Sequence, residues 1–236
     1  MHPSRRLLSS RTFVTALTAG TMALTAACSD SNSPSTPAGK INLVNASPTA
    51  ATISLRRDGA GFIAGLQYGS SASKTTVADT STHVFTAAIG SDTTTVATSS
   101  FKVKEDSAYT LVFVKRVAGS ALATLPFTAT APANGHAKVR LVNYGTAAVD
   151  VYVTDSTTDI ATATANTANL VTEAAGAYID YTAAAKRVRV TTAGTKTVLF
   201  DHMLTLTNGQ VASILFLDPA TAGQANKFVV LVDLNP

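Results

Sequence analysis

The chain has 236 residues, of which 46% are hydrophobic and only 14% charged, with one cysteine and no tryptophan. Its formal charge of +4 is largely a property of its first segment, because residues 1–27 hold three of the 18 basic residues and none of the 14 acidic ones. The remainder is close to +1, which removes the electrostatic ground for nucleic-acid binding, and a lone cysteine can form neither an internal disulfide nor, by itself, a zinc site.

Residues 1–27 have the layout of an export signal. Arg5, Arg6 and Arg11 form a basic start, and Thr12 to Ala27 is an uncharged, mostly apolar or small run. That run is shorter than the ~20 apolar residues that span a bilayer, and Thr and Gly dilute it. It ends Leu24-Thr25-Ala26-Ala27-Cys28, which resembles a bacterial lipobox with Thr25 where Leu is usual. The Cys28 sulfur would take a diacylglycerol, and cleavage between Ala27 and Cys28 would free its amine for a palmitate-type acyl chain. The alternative is an ordinary secretory cut that leaves a free thiol. Ordinary secretion is the expected export route, with twin-arginine export (Ser4-Arg5-Arg6-Leu7-Leu8) as the alternative.

The residues that follow, SDSNSPSTPAG, are rich in Ser and Pro and have no hydrophobic periodicity, so 28–39 reads as a lipidated cysteine and flexible tether. Its eleven residues from Ser29 to Gly39 would reach roughly 18 Å on average. By resemblance to lipoproteins of double-membraned bacteria, Ser29 after the cysteine implies the outer membrane. If the lipobox fails, the protein is secreted.

From Lys40 onward the pattern is that of strands, and it occurs twice. Lys40-INLVNASPTAATISL aligns without a gap on Lys138-VRLVNYGTAAVDVYV at an offset of 98, which sets Ile53 and Leu55 against Val151 and Val153. Phe101–Val114 aligns on Leu204–Leu217 at an offset of 103. Such a period describes two tandem domains, not a solenoid of short repeats. Apolar residues alternate with polar ones at Ile53/Leu55 and Val188/Val190, whereas Leu111–Val114 and Ile214–Leu217 are continuous apolar runs suited to central strands. Turn signals recur at Asp58-Gly59, Gly90-Ser91, Glu105-Asp106-Ser107, Ala118-Gly119 and Asn208-Gly209, the last read as a hairpin. The prediction is all-β: two immunoglobulin-like β-sandwiches of about seven strands each, over 40–132 and 136–236, after a signal peptide and a tether. Tyr109, entering a central strand just after a turn, is expected to hydrogen-bond back across the corner, while the second copy has Ala212 at that place.

These motifs carry a family resemblance. The opening strands INLVNAS and VRLVN, the small residues after them and the strand Val149-Asp150-Val151-Tyr152-Val153 resemble the bacterial envelope family known as domain of unknown function 4397. The resemblance covers most of 40–236 and implies a fold. It implies no catalytic residues.

Candidate chemistry is sparse. His83, His136 and His202 lie in different segments with no second ligand at metal spacing, and no phosphate loop or nucleophile motif occurs. No catalytic, cofactor or metal residues are assigned. The weak ligand candidates are Asp155 and Asp159, which with Asp150 form an acidic cluster in VDVYVTDSTTDI, and Tyr178 and Tyr181 as aromatic platforms. The expectation is a non-enzymatic envelope lipoprotein with a structural or protein-interaction role. Its partners would be the membrane, through lipid on Cys28, and an envelope protein or glycan. The alternative is a small-ligand or glycan-binding module with its site between the domains or around Tyr178 and Tyr181. A secreted enzyme subunit is the third reading.

Overall fold

The computed structural model describes residues 37–234 apart from 117 and 128. The signal, the cleavage site at Ala27, Cys28 and most of the tether lie outside them. The described residues form sixteen strands in four sheets of four, and no helix occurs among them.

The first sandwich contains β1 (Ala38–Asn45), β2 (Thr52–Arg57), β3 (Ala60–Gln67), β4 (Ser71–Val77), β5 (Thr82–Ile89), β6 (Ala97–Lys102), β7 (Ala108–Arg116) and β8 (Gly119–Leu125). One sheet runs β4-β1-β7-β8 and the other β3-β2-β5-β6. The second sandwich contains β9 (His136–Asn143), β10 (Val149–Thr154), β11 (Thr167–Leu170), β12 (Ile179–Thr182), β13 (Ala185–Thr192), β14 (Val198–Thr205), β15 (Val211–Leu217) and β16 (Lys227–Leu234). Its sheets, β12-β9-β15-β16 and β11-β10-β13-β14, repeat the order of the first with every strand number raised by eight. The duplication read from two short blocks therefore extends to every strand.

The architecture is the expected immunoglobulin-like pair of packed sheets, with two differences of detail. Each copy has eight strands instead of about seven. The first strand also lies inside its sheet, pairing antiparallel with the fourth and parallel with the seventh: Leu43 faces Ala72 on one side and Leu111 on the other. In addition, β1 begins at Ala38, so the last two residues assigned to the tether belong to the strand. Gly39 is packed there so closely that a Cβ would lie 2.8 Å from the Lys104 carbonyl oxygen.

Two local expectations are corrected. Asn208-Gly209 is not a hairpin, because the strands it joins, β14 and β15, belong to different sheets. The Gly209 N–H donates to the His136 carbonyl (2.8 Å) and Asn208 Oδ1 accepts from the Gly135 N–H (2.7 Å), so this turn latches onto the link between the sandwiches. The gapless alignment is the other correction. Thr52 accepts from the Gly90 N–H where Ala148 accepts from the Ala193 N–H. Likewise Ile53 pairs with Leu66 where Val149 pairs with Leu170. The offset thus changes from 98 in the first strand to 96 in the second, and Ile53 and Leu55 correspond to Val149 and Val151.

Each sandwich has its own core. Ile41, Leu43, Ile53, Leu55, Phe85, Leu111 and Phe113 fill the first, and Val139, Leu141, Val151, Val190, Ile214 and Phe216 fill the second. A third cluster joins the two bodies. Val44, Val112 and Val114 pack in one apolar cluster with Val142, Leu215, Leu217, Val229 and Leu231. This explains the continuous apolar runs. In β7, Leu111 and Phe113 enter the sandwich core while Val112 and Val114 enter the third cluster; in β15, Ile214 and Phe216 do the first while Leu215 and Leu217 do the second. A strand covered on both faces loses its alternation. The described residues accordingly form one compact unit.

Tyr109 makes the expected corner. Its hydroxyl accepts from the Lys104 N–H at 3.1 Å, and its ring stacks on Phe101 (4.8 Å between centroids), which in turn stacks on Phe85. Tyr109→Phe keeps the stack and loses the bond, so urea denaturation is expected to show a loss of about 0.5–1 kcal/mol. An unchanged midpoint would assign the residue's contribution to its ring alone.

Candidate functional site

The Leu-Val-Asn shared by both copies proves to be a structural device. Asn45 and Asn143 are fully buried at the ends of β1 and β9. The Asn45 amide donates to the carbonyls of Ala50 (2.8 Å) and Leu66 (3.2 Å), and its Oδ1 accepts from the Ser47 N–H (3.1 Å). The Asn143 amide donates to Ala147 and Leu170 (both 2.8 Å) and accepts from the Gly145 N–H (2.8 Å). An amide has two donors and an acceptor in one plane. Here it ties the end of one sheet to a strand of the facing sheet and to the loop between them. The repetition of the triplet was visible in the sequence; this role for its asparagine was not assigned there.

The acids Asp150, Asp155 and Asp159 do not converge on a common point. Asp150 is buried and accepts from the N–H groups of Asn169 (2.7 Å) and Gly194 (2.8 Å), two positions of positive φ. Asp155 pairs with Lys186 (2.7 Å), and Asp159 accepts from the Ala161 N–H in a local turn (2.9 Å). Tyr181 packs against the second core, and burial raises its hydroxyl pKa to about 12.

The histidines are also separate. His83 is buried between Asp58 (2.7 Å) and Asp79 (3.1 Å), with Arg57 alongside. Both carboxyls are held below their ordinary pKa, chiefly by the N–H groups of Val84 and Ser81 respectively. His136 contacts Asp180 (2.7 Å), and His202 lies against Phe200 and Phe228. Among the described residues no group of three or more His, Cys, Asp or Glu side chains is arranged to hold a metal ion.

Tyr178 alone among the candidates bonds to the wall of a groove between the sandwiches, through Asp233, while Tyr181 lines a small cleft of the second sandwich. Beyond the third apolar cluster, the facing sheets turn polar toward the end where β1 starts. In the first sandwich Asn42 donates to Thr110 (3.3 Å) and accepts from Ser73 (2.6 Å). In the second, buried Arg140 donates through Nε to Ser213 Oγ (2.8 Å) and through Nη2 to the Pro126 carbonyl (2.8 Å), and its guanidinium lies 4.4 Å from the Tyr178 ring centroid. Ser213 Oγ (2.6 Å) and the Tyr178 hydroxyl (2.9 Å) both donate to Oδ2 of Asp233. Burial raises the pKa of Asp233, opposed by these two hydrogen bonds and by the charge of Arg140. Burial is also the main reason the Tyr178 hydroxyl is pushed up to about 12.

Asp233 forms part of the wall of two adjoining hollows, of about 720 and 740 Å³, between the sandwiches. They share Asp106, Ser107, Ala108 and Asp233. Phe127 and Lys104 line the first, Lys40 and Gly39 the second. Sequence reasoning had marked the groove between the domains and Tyr178 as places for a ligand. It had not found Asp233, Ser213, Arg140 or Phe127, which no motif links.

The model of the family Domain of unknown function (DUF4397) matches residues 39–154. The match spans all eight strands of the first sandwich and β9 and β10 of the second. No curated protein matches the chain.

Proposed function

Starting from membership of the DUF4397 family over residues 39–154, we propose that this protein is a non-enzymatic lipoprotein of the cell envelope, anchored by acyl chains on Cys28 and acting through interactions of its two-sandwich body. The observation that carries the reading is the sequence around Cys28. A basic start and an uncharged run end in Ala26-Ala27-Cys28, and a Ser- and Pro-rich stretch follows. Two or more acyl chains would hold the protein stably, since each buried methylene contributes about 0.8 kcal/mol. The fold supports a presenting role: strands begin at Ala38, ten residues after the cysteine, and the third apolar cluster joins the sandwiches into one unit.

Intact mass of the detergent-extracted protein, with Cys28→Ala as control, tests the anchor. The expected product begins at Cys28 and is heavier by a diacylglycerol and an amide-linked acyl chain, and the Cys28→Ala chain lacks both. A soluble wild-type chain of unmodified mass would overturn the reading. The small-ligand alternative is favoured by a separate observation, the groove beside Asp233.

A further inference from the structure

We propose that the groove between the sandwiches is a binding site for a short, uncharged saccharide, with Asp233 as its hydroxyl-binding carboxylate and Phe127 as its stacking platform. The proposal goes beyond the envelope role and does not depend on the fate of Cys28.

The groove has the size of a small-molecule site, for which roughly 300–1,000 Å³ is typical. Its polar wall is preorganised. Oδ2 of Asp233 is fixed by Ser213 and Tyr178, and Ser213 is fixed in turn by Arg140. Oδ1 takes no hydrogen bond from the described residues and is not sealed from solvent. A carboxylate oriented through one oxygen presents the other, with its lone pairs, to a ligand. A charge-assisted bond there is stronger than a neutral one.

Phe127 supplies the apolar half. It is a large apolar side chain left 40% exposed, beside the groove and outside any strand. Its position is set rather than loose. Its ring stands edge-on to Tyr178 (6.1 Å, 71°), and the carbonyl of the preceding Pro126 is held by Arg140. One network therefore fixes both the carboxylate and the ring.

The surrounding charges decide the class of ligand. Lys40, Lys102 and Lys104 line the hollows, and no ion pair involves them among the described residues. They would repel a cation drawn to Asp233 and Phe127. Asp233 and Asp106 in turn oppose an anion. A purely apolar ligand would leave Oδ1 of Asp233 desolvated and unpaired, which is costly. A neutral sugar fits all three constraints. Its C–H face covers an aromatic ring, its hydroxyl protons go to Oδ1, and its hydroxyl oxygens accept from ammonium groups.

The test is saturation-transfer NMR and calorimetry on the purified chain with maltotriose, chitotriose and xylotriose, and with inorganic phosphate and cadaverine as charged probes. At least one neutral trisaccharide is expected to receive saturation at its C–H protons. Phe127→Ala and Asp233→Asn are each expected to weaken that binding at least about tenfold, with thermal midpoints showing that both variants are folded. Transfer to none of the three sugars in the wild-type chain would overturn the proposal. So would sugar binding unchanged in both folded variants, or tighter binding of phosphate or cadaverine. Should either variant fail to fold, the wild-type comparison of neutral with charged probes still decides the ligand class.

Discussion

Asn143→Ala is expected to cost the protein about 3–5 kcal/mol, and Asn45→Ala a similar amount, although neither asparagine carries a charge. Each change leaves two carbonyls and one N–H without their partner in a fully buried setting. An unsatisfied buried group costs about 1–3 kcal/mol, and the lower part of the summed range applies because the site adjoins loops that can admit water. For a unit of about 200 residues, a loss of this size lowers the thermal midpoint by roughly 6–20 °C. Calorimetry of both single variants checks the expectation. A loss below about 1 kcal/mol in both would mean that the repeated triplet is kept for some reason other than these bonds.

Leu215→Asp should produce the second large effect, of a different kind. Leu215 is fully buried, and it belongs to the third cluster rather than to the core of its own sandwich. An unpaired carboxylate there faces a desolvation penalty of several kcal/mol, which separation of the sandwiches relieves without unfolding either one. The expected result is two resolved thermal transitions in place of one, with a larger radius of gyration in X-ray scattering. Ile214→Asp, one residue earlier, points into the second core and should instead unfold that sandwich alone. A single transition within about 2 °C of wild type for Leu215→Asp would show that the two bodies are not coupled through this face.

The sequence pattern contained much of this organisation, and its errors have definite causes. β-Branched alternation and recurrent turns identified sandwiches, and two aligned blocks identified the duplication. In the second copy the eighth strand was missed partly because β11 and β12 are only four residues long, too short to establish a period. Asn208-Gly209 signals a reversal of the chain, but a turn does not encode which sheet receives the next strand. The shift in offset from 98 to 96 escaped notice because a slip of two residues preserves the inward and outward faces of a strand. At the groove, Arg140, Tyr178, Ser213 and Asp233 come from four separated parts of the second copy, and Phe127 precedes its first strand. Only folding brings them together. Asp155, Asp159 and Tyr181 looked equivalent to Tyr178 in the sequence, since a local stretch does not reveal which side chains a core, an ion pair or a turn will engage.

The position of β1 also governs the order in which each sandwich can assemble. Its neighbours are β4 and β7, and Asn42 faces Ser73 on one side and Thr110 on the other. In the second copy, β9 waits in the same way for β12 and β15. The strand that leaves the ribosome first in each copy therefore stays half-paired until nearly all of that copy has been made, and closing so long a loop costs entropy before any contact repays it. Topologies dominated by such distant pairings fold in milliseconds to seconds, not microseconds. A chain built this way remains unfolded, and threadable through a translocation channel, for longer than a helical protein of its size.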